Sequence, residues 1–220
     1  MINSTTFKFL SDLASNNNRD WFLLNKERYE DARLNVIEFA EDVLSGISSF
    51  DPAIPSVLTP KDCVNRIYRD VRFSKDKTPY KNNFGIGFSP NGKKFIGPGY
   101  YLHLHPEGSF IGGGCWMPEA ELLKAIRQEI DYNGDDFRKV VENPLFVNFF
   151  GDLDPEHKLK TCPKGYDLDH PEIEFLKLKS FTFSHKLTQK VLSSSSAVEK
   201  VIDGFAKLYP FISFLRNALS

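Results

Sequence analysis

Residues 66–85 read RIYRDVRFSKDKTPYKNNFG, the densest mixture of charged, aromatic and turn-forming residues in the chain. Ile67, Val71 and Phe73 alternate with charged or polar neighbours, and this period of two predicts a strand with one face on a core. The polar residues 74–79 predict a loop, because the proline at its end fixes the direction in which the chain leaves it. The stretch therefore predicts a strand, a loop and a returning strand.

The same period of two continues beyond this stretch. It recurs at Phe84–Phe88, which ends in the turn sequence SPNG, at Tyr100–His105 and at Phe110–Trp116. Short connections join these segments, and strands connected in this way pair with their neighbours in antiparallel order. Residues 64–117 are therefore predicted to form an antiparallel meander.

Helical spacing of apolar residues characterises residues 1–50. Thr5 or Thr6 is predicted to cap a first helix. Asn18 is predicted to cap a second helical stretch that continues to about residue 47, and Asn25 to divide that stretch into two pieces.

Helical spacing returns after the meander. Residues 146–164 predict a loop with room for one short strand, and residues 181–183 predict a last strand. Ser196 and Glu199 have the spacing of a capping box at the start of the final helix. Pro210 is predicted to kink or split that helix, because proline lacks a backbone donor.

The order of these elements predicts an α+β fold, in which an antiparallel sheet of about four or five strands is covered by N- and C-terminal helices. A chain of 220 residues is long enough to bury a good core in one domain, and no linker argues for two. We expect a single domain over 1–220, with helices at 1–50, the strand meander at 64–117, and helices with one late strand at 118–220.

Composition limits the classes of function. The formal net charge of −1 argues against a non-specific nucleic-acid binder, which carries a broad basic excess. Cys63, Cys115 and Cys162 are widely spaced and form no CxxC pair, which is typical of a reducing compartment. The sequence shows no signal peptide and no apolar run of the roughly 20 residues that span a bilayer. We therefore expect a cytoplasmic protein without a membrane partner.

Positive charge is concentrated in residues 61–81, where seven Lys and Arg stand against three Asp, giving +4 in a chain of net charge −1. A local excess of this kind predicts a place where an anion is met. Arginine forks hold phosphate or carboxylate groups in a bidentate manner, and tyrosines offer a ring face or a hydroxyl. The predicted ligand-binding residues are Arg66, Tyr68, Arg72, Lys77, Tyr80, Lys81 and His103.

Alternatives to a small-ligand site remain open. If residues 66–73 form a strand, Arg69 falls on its apolar face and is expected to be a structural charge. Asp70 and Asp76 would then tie down Arg69, Arg72 or Lys77 in an internal network. A second alternative is an interaction module whose basic edge docks an acidic protein or nucleic acid. The sequence leaves open whether bound ligand is also turned over, and it predicts no catalytic residue.

The segment Tyr101–Glu107 places His103 and His105 on one strand face, a spacing that allows two ligands to one metal. Pro106 and Gly108 turn the chain before Glu107 can complete a triad, so no metal site is predicted. Residues 112–114 are glycines but lack the lysine and hydroxyl residue of a phosphate loop. No dinucleotide fingerprint occurs either, and no cofactor is predicted.

Several segments resemble, in one order and spacing, a family of uncharacterised proteins, the domain of unknown function 2461 family. The pattern R-x-x-R-D-x-R-F-S-x-D-K-x-P-Y-K at residues 66–81 is specific. The resemblance extends along nearly the whole chain, and its segments are Trp21-Phe22 with Asn25-Lys26 and Tyr29, residues 66–85, Tyr100–His103, Pro163–Asp167 with Asp169–Pro171, and Leu176–Phe181. It implies a single-domain soluble protein and supplies no activity, cofactor or catalytic residue.

Overall fold

The computed structural model describes residues 1–94, 96–153 and 157–219. Its helices are α1 (Ser4–Ser15), α2 (Arg19–Leu24), α3 (Lys26–Ser48), α4 (Pro60–Cys63), α5 (Ala120–Tyr132), α6 (Gly134–Val141), α7 (Pro144–Phe150), α8 (Ile173–Leu176), α9 (Gln189–Leu192) and α10 (Ala197–Asn217). Its strands are β1 (Phe84–Phe88), β2 (Gly99–Leu104), β3 (Phe110–Cys115) and β4 (Phe181–Lys186), and a short 3-10 turn spans Gly92–Lys94. In these ranges no helix is both long enough and apolar enough to cross a membrane.

The four strands form one antiparallel sheet in the order β1-β2-β3-β4. Burial alternates along β2 and the first half of β4, whereas β1 and β3 each bury three consecutive residues, and the buried residues include Ile86 of β1, Leu102 of β2 and Phe183 of β4. Short connections between β1, β2 and β3 make the predicted meander, and β4 is the predicted late strand. The predicted α+β class is confirmed.

The chain divides into two compact units. Among the described residues, the first unit comprises 1–94, 101–111 and 186–206, and the second comprises 96–100, 112–153, 157–185 and 207–219. The expectation of a single domain stays a prediction.

The N-terminal helices of the first unit begin and end largely where the sequence predicts. Asn18 accepts a hydrogen bond from the Trp21 amide and caps α2, and Asn25 separates α2 from α3. The cap predicted at Thr5 or Thr6 is wrong, because α1 already begins at Ser4. Thr6 is buried and donates its hydroxyl to Asn35 instead, since a buried hydroxyl needs a partner.

In the second unit, α7 occupies part of the segment predicted as loop. Asn143 accepts hydrogen bonds from the two amides that begin the helix, and Pro144 fills its first position. Phe146 and Phe150 are buried, and the ring of Phe146 packs edge-on against that of Phe183. Burial of these rings stabilises a helix that is too short to persist alone. Residues 154–156 of the predicted loop lie outside the described residues.

The last helix, α10, continues through Pro210, so the predicted split is wrong. Proline in a helix interior costs about 3 kcal/mol. Leu208 lies before Pro210, Phe211 and Ile212 follow it, and all three are fully buried. Removing these side chains from water offsets the missing hydrogen bond, so that helical geometry persists on both sides of the proline.

The strand predicted at residues 66–73 is also wrong. Ile67 is buried, but Phe73 is 97% exposed, so the expected alternation ends after Tyr68. Two aspartates account for the irregular backbone that follows. Asp70 accepts a hydrogen bond from the Arg72 amide and Asp76 one from the Thr78 amide, and such local bonds compete with strand pairing.

Candidate functional site

The base of the residue 66–85 stretch is a bulged ladder within the first unit. Val64 pairs with Ile86 and Tyr68 with Tyr80, both antiparallel, so that four residue steps on one side face six on the other. The Asn65 amide donates to Gly85 O at 2.8 Å and the Lys81 amide to Ile67 O at 2.7 Å. The two additional residues of the longer segment therefore lie between Lys81 and β1, opposite Arg66. Bulges of this kind re-aim side chains and recur beside functional sites.

The loop beyond this ladder is held by its own charges. Arg69 is paired with Asp76 and also donates to the Thr78 hydroxyl at 2.7 Å. Hydrogen bonds from the Thr78 amide and from Arg69 lower the pKa of Asp76 to about 2. Asp70 accepts from the Nε and Nη2 of Arg72, at 3.0 and 2.7 Å, which lowers the pKa of Asp70. These contacts pair Arg69, Arg72 and both aspartates within the loop.

Arg66 and Lys81 differ from the loop charges. In the ranges 1–94, 96–153 and 157–219 neither side chain forms an ion pair or a hydrogen bond with a protein group. Burial and then the positive charge of Arg66 lower the pKa of Lys81, which is half-buried. The positive charge of Arg66 contributes to the lowered pKa of Asp70, but the Asp70 oxygens are hydrogen-bonded to Arg72. The bulge therefore brings together two cations, and neither forms an ion pair with a carboxylate of the described residues.

The two predicted tyrosines lie in different environments. Tyr80 is 5% exposed and its ring stacks on that of Phe22 in α2, with centroids 4.0 Å apart and planes at 13°. Tyr68 packs against the same cluster but is 49% exposed. Tyr80 thus belongs to the core of the first unit, and Tyr68 presents a ring to solvent.

The remaining predicted cations do not join Arg66 and Lys81. The Nζ of Lys77 donates to the Val71 carbonyl at 2.9 Å within the loop. Arg72 is turned to Asp70, and its guanidinium carbon lies 5.9 Å from the ring centroid of Phe73. The structure therefore divides the predicted residues into an internally paired loop and an unpaired pair at its base.

One face of β2 carries Tyr101 and His103, with His105 directly after the strand, and Phe110 of β3 lies beside them. The rings of His103 and Phe110 stack at 4.9 Å and 14°, and those of His103 and His105 lie 6.1 Å apart at 22°. All four side chains are half-buried. They form an aromatic row that is neither core nor fully solvated.

Gly85 links this row to the bulge. A Cβ at Gly85 would lie 2.4 Å from the Tyr101 hydroxyl and 3.0 Å from Asn65 Nδ2, so these groups share one sheet face. Since β2 runs antiparallel to β1, residues after Tyr101 run back toward the start of β1. His103 therefore lies on the side where the chain enters β1 from Lys81.

Each of the two imidazoles uses its Nδ1 in a hydrogen bond. The Glu107 amide donates to Nδ1 of His105 at 3.2 Å, so the proton of neutral His105 is on Nε2. Nδ1 of His103 lies 3.2 Å from the Tyr101 hydroxyl. Burial raises the pKa of that hydroxyl, so it stays protonated and serves as donor or acceptor according to the tautomer of His103. Neutral His105 therefore presents an Nε2–H donor, whereas the group that His103 presents at Nε2 depends on its tautomer. No group of three metal-ligating side chains occurs in the described part of the chain.

Other titratable groups are occupied elsewhere. In the second unit, Nε2 of His170 lies 2.9 Å from Asp131, and its Nδ1 accepts from the Glu172 amide at 3.0 Å, so neither nitrogen is available as a base. Burial raises the pKa of Cys63 to about 12 and that of Cys115 to about 11, which leaves both thiols unreactive.

Asn65 and the Asn82–Asn83 bulge were not predicted as parts of the site. Consecutive asparagines before a strand favour turns and irregular backbone, and this was the available signal. Sequence spacing alone does not give the two-residue difference in register that places Asn82 and Asn83 opposite Arg66.

A family model described as conserved hypothetical protein (DUF2461) matches residues 5–214. The chain therefore belongs to this family, as the resemblance implied. None of the curated proteins and none of the solved structures compared with the chain matches it.

Proposed function

We propose that the protein binds a small anionic ligand, bearing a phosphate or carboxylate group, at Arg66 and Lys81. The observation that carries this proposal is their pairing at the bulge without a carboxylate partner in the described ranges. A half-buried lysine beside an arginine is unfavourable in the absence of a counter-charge. A bound oxyanion supplies that counter-charge and is held by charge-assisted hydrogen bonds.

His103 completes the proposed site. It lies on the same face of β2 as Tyr101, whose hydroxyl is near Gly85 and Asn65. In the tautomer whose Nδ1 accepts from Tyr101, Nε2–H of His103 donates to an anion without a positive charge on the ring. Arg72 and Lys77 are left out, because each already has a partner within the loop. The three free cysteines support a cytoplasmic location for this activity.

Calorimetric titration with inorganic phosphate and with acetate tests the proposal. The double variant Arg66→Gln with Lys81→Gln is expected to lose binding of both anions. The matched control, Lys75→Gln with Lys94→Gln, removes two positive charges from exposed side chains of the same unit and is expected to bind as the unaltered protein does. Equal weakening in both double variants would show that only net charge matters and would refute a defined site.

A second candidate is docking of an acidic protein on the loop. It is favoured by Phe73, whose side chain is 97% exposed beside the guanidinium of Arg72. Exposed aromatic and arginine side chains are typical of binding hot spots. Phe73→Ser would then abolish capture of an acidic partner while leaving phosphate titration unchanged, so the two functions are separable.

A further inference from the structure

The two positive charges of the proposed site favour one type of anion over another. Arg66 and Lys81 carry two positive charges, and the described residues give neither an ion-pair partner. A carboxylate supplies one negative charge, whereas a phosphate monoester supplies about 1.5 to 2 at pH 7 and three acceptor oxygens. A site with two cations that lack an ion-pair partner is therefore better matched by a phosphate monoester than by a monocarboxylate.

The two imidazoles add hydrogen-bonding groups. Nδ1 of His105 accepts from the Glu107 amide, which leaves Nε2–H as a donor, and Nδ1 of His103 is bonded to the Tyr101 hydroxyl. Both residues follow Tyr101 along the chain, toward the end of the sheet where Lys81 enters β1. An Nε2–H donor suits a phosphate oxygen or an acceptor on the organic part of a ligand.

The aromatic row offers a contact surface for the organic part of the ligand. Tyr101, His103, His105 and Phe110 are all half-buried, and the stacked pair His103–Phe110 has ring planes within 14° of each other. The ring of His105 lies at 22° to that of His103, whereas the ring of Tyr101 is tilted at 43° to it. The nearly parallel rings of His103, His105 and Phe110 offer a half-buried surface for a further planar group, which gains apolar contact and ring–ring attraction. An aliphatic group of similar size gains less from such a surface.

We propose that the ligand is a phosphate monoester of a planar, aromatic group, with its phosphoryl oxygens at Arg66 and Lys81 and its ring on the row formed by Tyr101, His103, His105 and Phe110. This inference rests on the proposed anion site. It adds the type of anion and the nature of the group attached to it.

Calorimetric titration of the unaltered protein with four probes tests the inference. The probes are inorganic phosphate, glycerol 3-phosphate, phenyl phosphate and benzoate. Phenyl phosphate is expected to bind about tenfold more tightly than glycerol 3-phosphate, since one stacked ring contributes on that order. Benzoate, with the ring but a single charge, is expected to bind more weakly than phenyl phosphate.

Each outcome separates the two proposals. If no probe binds, the anion site itself is refuted. If inorganic phosphate binds and phenyl phosphate binds no better than glycerol 3-phosphate, the anion site stands and the aromatic row is refuted as a ligand surface. If benzoate binds as tightly as phenyl phosphate, the assignment of a phosphate monoester is overturned.

A pair of variants localises the ring preference. Phe110→Leu removes the ring that stacks on His103 and is expected to reduce the preference for phenyl phosphate, with inorganic phosphate binding unchanged. The control is Phe149→Leu, since Phe149 stacks on His185 at 4.0 Å and 15° in the second unit. An equal reduction in both variants would contradict the proposed location. The four-probe comparison needs no variant, so it decides even if Phe110→Leu does not fold.

Discussion

Lys81 lies beside Arg66 at a two-residue bulge, and the charge of the arginine adds to burial in lowering the pKa of the lysine. Ten residues of intervening loop, 69–78, contain two aspartates, yet both are bonded to other partners, Asp70 to Arg72 and Asp76 to Arg69. Both aspartates of the loop are thus paired within the loop, and Arg66 and Lys81 at its base have no ion-pair partner in the described part of the chain.

Substitution of Lys81 by methionine is expected to stabilise the protein without ligand. The folded-state pKa of Lys81 is below its ordinary 10.5, so keeping the side chain charged at neutral pH costs stability. The gain is limited by solvent screening, and we expect the melting temperature to rise by about 1–3 °C. Differential scanning calorimetry at pH 7 measures it. The control Lys75→Met should change it little, and a lower melting temperature for Lys81→Met would mean that Lys81 has a stabilising partner.

Sequence periodicity was sufficient for β1 to β4 and for the division of the N-terminal helices, because alternating burial and Asn caps are local signals. It failed for residues 66–73, since the side chains of Asp70 and Asp76 bind nearby amides and outweigh the alternation of Ile67, Val71 and Phe73. The candidate site depends on the register between residues 64–68 and 80–86, which is tertiary. Arg66, Lys81 and His103 were therefore predicted as members of a set, but the separation of Arg66 and Lys81 from Arg72 and Lys77 was not.

Stability at acid pH should depend on Asp76. Its folded pKa of about 2 lies below the ordinary 3.8, so its contribution is complete above pH 3.8 and is lost as pH falls toward 2. Asp76→Asn is expected to lower the urea midpoint at pH 5 and to flatten its fall between pH 4 and 2. The control is Asp31→Asn, at an exposed position of α3. If the two variants have the same profiles, Asp76 does not hold the loop.

Protonation of His103 should also make the protein less stable as pH falls, although His103 gains a positive charge where Asp76 loses a negative one. Burial and the neighbouring His105 lower the pKa of His103 below 6.5, so the unfolded chain takes up a proton at a higher pH than the folded protein does. Stability is therefore expected to decrease as pH falls below about 6.5. His103→Gln should show a shallower decrease in denaturation midpoint between pH 7 and 5. A steeper decrease would mean that His103 is stabilised in its charged form.

Gly114 is expected to be intolerant of a side chain. Its φ of 120° is rarely adopted by L-residues, and a Cβ would lie 2.0 Å from the Phe181 carbonyl oxygen of β4. Gly114→Ala should destabilise the protein by more than about 2 kcal/mol, visible as a fall in melting temperature of roughly 4–8 °C or more. Gly87→Ala is the control, because its Cβ would meet only the Lys93 Cα at 3.6 Å. Equal effects would imply that the β3–β4 approach is looser than this distance indicates.

Occupation of the bulge by an oxyanion is tested most directly by titrating ¹⁵N-labelled protein with inorganic phosphate and following backbone amide shifts. Saturable shifts are expected at residues 65–66 and 81–83 and at His103, with small changes across the loop 69–78. Arg66→Gln with Lys81→Gln should abolish them, whereas Lys75→Gln with Lys94→Gln should not. Saturable shifts confined to residues 69–78, or none up to high phosphate, would contradict the assignment of Arg66 and Lys81 as the anion-binding pair.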